Sequence, residues 1–119
     1  MTNIKFIYDN NLLMGFSMLG HAGFSKGGQP DILCASLSAT SQMTVNGVLD
    51  WVGLNTADVV LEDDPKVGIL VMLLPKGHYE HVVVQQLLKS FELYMIQLEE
   101  LYPENIKIRR EIKNDNSDQ

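Results

Sequence analysis

Cysteine is nearly absent from this chain: Cys34 stands alone among 119 residues. That excludes an internal disulfide framework and any zinc site built on several thiolates. A lone thiol also fits a reducing compartment. Basic residues are scarce as well, nine Lys and Arg against fifteen Asp and Glu, for a formal net charge of −6. Binding nucleic acid through its phosphates requires clustered cations, and the basic residues are scattered apart from the short run Lys107, Arg109, Arg110 and Lys113. No direct nucleic-acid partner is expected, whereas an acidic surface favours encounters with basic proteins. Long hydrophobic runs are missing: the apolar stretch Val67–Leu74 has the length of a strand, not of a membrane span. The first residues lack the basic region and apolar run of a signal peptide, so the expectation is a cytoplasmic protein with no membrane partner. The glycines between Gly20 and Gly28 do not have phosphate-loop spacing and no P-loop lysine follows them. No cofactor is expected.

What is present is ordinary for a folded protein: 45% hydrophobic and 20% charged residues. The length predicts a single domain over residues 1–113, with a polar, disordered tail at 114–119. Ile4–Tyr8 alternates and predicts a strand, Asp9-Asn10-Asn11 a turn, and Leu12–Leu19 a second strand. Met14, Phe16 and Met18 share one face of that strand. Gly15, Ser17 and Leu19 share the other, and counting by two carries His21 onto this second face, just past the strand end.

Gly20–Pro30 holds too many breakers for regular structure. Asp31 is a good N-cap for a helix from Ile32 to about Val52, with Leu33, Leu37, Thr44, Val48 and Val52 as its buried stripe. Strands are predicted at Ala57–Glu62 and Val67–Leu74, with Asp63-Asp64-Pro65 as the turn between them; the second, apolar throughout, reads as a central strand covered on both faces. His81–Tyr102 is the clearest helix, stopped by Pro103, and Val84, Leu87, Leu88, Phe91, Met95, Leu98 and Tyr102 form its stripe. Val83, Leu93 and Ile96 lie off that stripe, an apolar surface suited to a partner subunit. Ile106–Ile112 predicts a closing strand. The order ββαββαβ is an α+β domain, two helices packed on a mostly antiparallel sheet.

Three features point to chemistry around one loop. Cys34 occupies the third helical position, where unpaired backbone N–H groups gather and their partial positive charge favours a thiolate over a thiol. His21 stands at the other end of the glycine-rich loop, which can bring imidazole and thiol side by side as base and nucleophile. The loop itself, with Gly27 and Gly28, can let a substrate strand pass close or act as a lid. From the residues alone a bland alternative stays open: a lone cysteine near a helix start is also a small buried apolar residue, Asp31 is a cap as readily as an orienter of His21, and Ser38 serves helix packing as readily as a site.

The run Gly20-His21-Ala22-Gly23-Phe24, a glycine-bearing loop, then Asp31-Ile32-Leu33-Cys34-Ala35 and Ser38-Ala39 resembles the signature of the Prp ribosomal-processing cysteine proteases. The resemblance extends over nearly the whole chain. It implies a homodimeric endopeptidase with a Cys–His dyad, Cys34 as nucleophile and His21 as base and proton donor, supported by Gly20, Asp31 and Ser38. The implied substrate is the precursor of large-subunit ribosomal protein number twenty-seven, from which a short N-terminal extension is removed. That extension is apolar and Phe-containing near the cut, which an extended peptide in an apolar groove satisfies; Phe24, Gly27 and Gly28 are expected to bind it here, with Met14 or Phe16 as further groove residues. The loop Ser25–Pro30 is about a residue longer than the family pattern, and Ser36 and Thr40 stand where Ala and Leu are usual; neither change removes a catalytic group.

His78, Glu80 and His81 cluster before the second long helix, but no further ligand is placed by sequence, and no metal site is expected there. The main alternative in function is a non-catalytic ribosome-assembly factor that binds the same basic protein. The two differ in the dyad, since a binding module has no need of a reactive thiol beside a histidine.

Overall fold

The computed structural model describes residues 1–21, 32–53, 60–64 and 68–113. Its elements follow the expected order: β1 (Thr2–Asp9), β2 (Leu12–Leu19), α1 (Ile32–Val52), β3 (Val60–Asp64), β4 (Ile69–Leu73), α2 (Val82–Leu101) and β5 (Ile106–Lys113). The strands form one sheet in the order β3-β4-β2-β1-β5. Neighbouring pairs are antiparallel except β1–β5, which run parallel from Thr2↔Ile106 to Asp9↔Lys113. The sheet is therefore mixed, with its parallel pair joining the first strand to the last.

Both helices pack on the same face. Ile4 and Phe6 of β1, Phe16 and Met18 of β2, and Leu70 and Met72 of β4 share one buried cluster with Leu33, Leu37, Val45 and Val48 of α1 and Val84, Leu88, Phe91, Met95 and Leu98 of α2. Phe6, Phe16 and Phe91 form an aromatic trio at its centre, ring centroids 4.8–6.3 Å apart and tilted or edge-on. Such pairs contribute about 0.5–1.5 kcal/mol each beyond the area they bury.

Polar groups inside the core have defined work. A register shift between Ile7 and Tyr8 brings Leu13 opposite Tyr8 and onto the core side, although strict alternation sends it outward. The backbone at Leu13 is satisfied by a side chain. Its N–H donates to Gln85 Oε1 at 2.9 Å, and Gln85 Nε2 donates to the Leu13 carbonyl at 2.7 Å and to the Tyr79 carbonyl at 2.6 Å. One helical glutamine thus supplies the pairing that the bulge removes. Glu92 of α2 similarly gathers Tyr8 Oη, which donates at 2.6 Å, and Arg110 Nε, which donates at 3.0 Å. Burial first, then the bond to Glu92 and its charge, push the Tyr8 phenol up to about 12, against a smaller lowering by Arg110.

Two expectations are corrected. Asp63 and Asp64 continue β3, paired with Leu70 and Ile69, instead of forming the turn. Residues 65–67 and the segment 54–59, where the earlier part of that strand was expected, lie outside the described residues. β4 is covered on its helix face, while Ile69, Val71 and Leu73 on its other face are only half-buried. Residues 114–119, expected as a tail, are likewise outside the described residues.

Candidate active site

Helix α1 presents Cys34, Leu37, Ser38, Ser41 and Gln42 along one flank, as the spacings of three, four and eight residues require. This flank faces the ends of four strands across a cleft of about 230 Å³. Met18, Leu37 and Leu70 give it an apolar floor. His21 stands on the opposite wall from Cys34 and lines the same cleft. The imidazole is exposed and the thiol half-buried, so both are reachable by a peptide.

His21 reaches this wall against the strand alternation, which carries it to the face away from α1. Gly20 supplies the reason. Its φ of +93° lies in the region that favours glycine and turns the chain end toward the helix. Gly20 is held through both of its backbone groups: its N–H donates to the Gly68 carbonyl at 2.7 Å, and its carbonyl accepts a long 3.5 Å bond from Thr2 Oγ1. Gly68, at φ +71°, lies so close that a Cβ there would sit 2.8 Å from the Gly20 oxygen and 3.1 Å from His21 Nε2. A pair of bare backbones, Gly20 just after β2 and Gly68 just before β4, is the seat on which the imidazole rests.

Of the residues expected at the site, the fold brings Gly20, His21, Cys34 and Ser38 to one cleft. Ser38 is exposed, and its carbonyl accepts from Ser41 Oγ at 3.1 Å within the helix. Asp31, Phe24, Gly27 and Gly28 lie outside the described residues. Phe16 is fully buried in the aromatic trio and Met14 packs beside the core, so Met18 takes the apolar role on the cleft. Sequence reasoning missed Thr2, Gln42, Asp63 and Gly68, because only the strand order reveals which ends of β1, β3 and β4 face Cys34. Among the described residues no group of His, Cys, Asp and Glu is arranged to hold a metal ion. Glu80 accepts instead from the Gly77 N–H at 2.9 and 3.0 Å, and His81 precedes α2 without a side-chain capping bond.

A family model, Cysteine protease Prp, matches residues 1–107. The chain belongs to that family of cysteine peptidases. No curated protein sequence matches it. Among solved structures it is similar to SMU.848 from Streptococcus mutans, at 26% identity and a TM-score of 0.80 over 95% of this chain and 96% of that one. It shares its fold with the ribosomal processing protease Prp of S. aureus in complex with a covalently linked product peptide, at 24% identity and a TM-score of 0.76, covering 93% of this chain and all of that one. The same fold appears in the S. aureus Prp complex with a substrate peptide, at 23% identity and a TM-score of 0.72, again over 93% of this chain and all of that one. Membership gives the mixed five-stranded sheet with two helices a family context and makes a peptide the natural occupant to test against the cleft.

Proposed function

We propose that this chain is a cysteine endopeptidase that removes the N-terminal extension of large-subunit ribosomal protein number twenty-seven in the cytoplasm, with Cys34 and His21 as a catalytic dyad. The observation that carries the proposal is the cleft that His21 and Cys34 share, reached by His21 only through the turn at Gly20. The Cys34 thiolate attacks the scissile carbonyl carbon and forms a tetrahedral oxyanion, facing the N–H groups at the start of α1. His21, protonated by the thiol, passes that proton to the leaving amine as the C–N bond breaks. Water then attacks the thioester with His21 as base, releasing the carboxylate product and restoring the thiol. Peptide complexes of the S. aureus protease with the same fold support a peptide as substrate.

The precursor protein is incubated with wild type, Cys34→Ala and His21→Ala, and the mass of its N-terminus followed. Cleavage by wild type alone supports the dyad. Equal cleavage by Cys34→Ala overturns it.

The same proposal includes a homodimer. Leu93 is 59% exposed and Leu101 70% exposed on α2, beside the half-exposed Tyr94 ring. Leu93 belongs to the apolar surface that lies off the buried stripe, and a second copy of the chain would cover it. Leu93→Glu is expected to shift the sedimentation of the protein from dimer toward monomer; unchanged sedimentation refutes this face.

A further inference from the structure

The far end of the cleft carries a charge that the dyad does not use. Asp63 stands on β3 opposite Leu70, with its side chain on the helix side of the sheet, and it lines the cleft together with Gln42. Gln42 Nε2 donates to Asp63 Oδ2 at 3.0 Å, which fixes the carboxylate and leaves Oδ1 to a substrate donor. Among the described residues that line the cleft, Asp63 is the only carboxylate, and none is Lys or Arg. Glu62, exposed on the same strand, carries a charge of the same sign.

The geometry converts into a position along a peptide. Gln42 is two helical turns beyond Cys34, about 12 Å along the axis at ~1.5 Å per residue. An extended peptide advances about 3.3 Å per residue. A substrate lying along the α1 flank with its scissile carbonyl at Cys34 therefore reaches Asp63 three to four residues from the cut. The floor between, Met18, Leu37 and Leu70, accepts apolar side chains on the way.

We propose that Asp63, positioned by Gln42, is a specificity-determining residue that selects substrates with a Lys or Arg three to four residues from the scissile bond. This rests on the endopeptidase reading above, and it adds to that reading a charged requirement distant from the chemistry. Removing the negative charge weakens such substrates and leaves neutral ones untouched, while inverting it reverses the preference. A solvent-reachable ion pair of this kind is worth on the order of two- to fivefold, and it fades as salt screens it.

The test uses peptides spanning the extension junction of the ribosomal protein, with Lys, Gln or Glu placed at the third and fourth positions on either side of the cut. Affinity is read by fluorescence anisotropy on the Cys34→Ala protein, and kcat/KM on the protein with Cys34 intact. At one position the wild-type cleft is expected to favour Lys over Glu by about two- to fivefold or more. Asp63→Asn should erase that preference and Asp63→Lys should reverse it, with Gln42→Ala weakening it. An equal loss for all three peptides on Asp63→Asn assigns Asp63 to a backbone or structural role and overturns the inference, as does a preference that survives the substitution. A charge preference in binding without any cleavage upholds Asp63 and overturns the protease reading, so the two failures are distinct.

Discussion

Replacing Gly68 by Ala offers a direct test of how His21 is held. The added methyl would lie 2.8 Å and 2.9 Å from the Gly20 carbonyl atoms and 3.1 Å from His21 Nε2. Carbon contacts settle near about 3.5–4.0 Å, so the Gly20 peptide must retreat by roughly half an ångström or more. Being backbone, it cannot swing aside as a flexible side chain would. Overpacking of this kind costs about 1–3 kcal/mol, and the left-handed φ of +71° adds about 1–2 kcal/mol for a residue with a Cβ. Misplacing a catalytic group by about 1 Å costs roughly a hundredfold in rate, so a loss of about ten- to a hundredfold in kcat/KM is expected from the protein that remains folded. Gly53→Ala is the control. Gly53 has φ +68° but nothing within 4 Å of its Cβ position, and so carries the same backbone strain without the collision. Thermal unfolding reports both strains, while precursor cleavage and the pH profile of Cys34 alkylation report the dyad. Gly68→Ala with wild-type cleavage, or equal losses for both variants, would refute the idea that Gly68 seats the imidazole.

Gln85→Leu keeps the bulk of the side chain but strands the Leu13 N–H and carbonyl, both bonded to it now. Each buried group left unsatisfied costs about 1–3 kcal/mol, and urea unfolding should show a total loss of about 2–6 kcal/mol for the two groups; a loss under about 1 kcal/mol would mean that water replaces the amide. The Tyr8 phenol, raised to about 12 from the usual 10, favours the folded state fully below pH 10 and loses that contribution as pH climbs toward 12. Alkaline unfolding should therefore fall off less steeply across that window in Tyr8→Phe than in wild type, and identical profiles would remove Tyr8 from the account.

All seven elements were legible from hydrophobic period, because long alternating or helical runs such as Leu12–Leu19 and Val82–Leu101 leave little choice of structure. What escaped was set by single residues or by distant pairing. Alternation carries His21 to the wrong face, and only the positive φ at Gly20 returns it. Asp63 and Asp64 look like turn residues, yet their pairing with Leu70 and Ile69 holds them in a strand. Gln85 and Glu92 interrupt an apolar stripe and are nonetheless buried, since their partners Leu13, Tyr8 and Arg110 come from other parts of the chain. The cleft shared by His21, Cys34 and Ser38 was anticipated by the motif around the glycine loop, whereas its Gln42–Asp63 end depends on a sheet order that no local pattern encodes.

The parallel pairing of β1 with β5 has a practical corollary for anyone handling this protein. It seats the first strand in the body of the sheet, with Thr2 lining the cleft and the Met1 carbonyl pressed against Gly20, 2.5 Å from where a Cβ would stand. Residues fused ahead of Met1 start at the cleft end of β1, and an affinity tag placed there is expected to act as a tethered competitor for a peptide in the cleft, at high effective concentration. A tag following residue 113, at the far end of β5 beside Asp9, leaves from the opposite end of the strands and keeps the cleft clear.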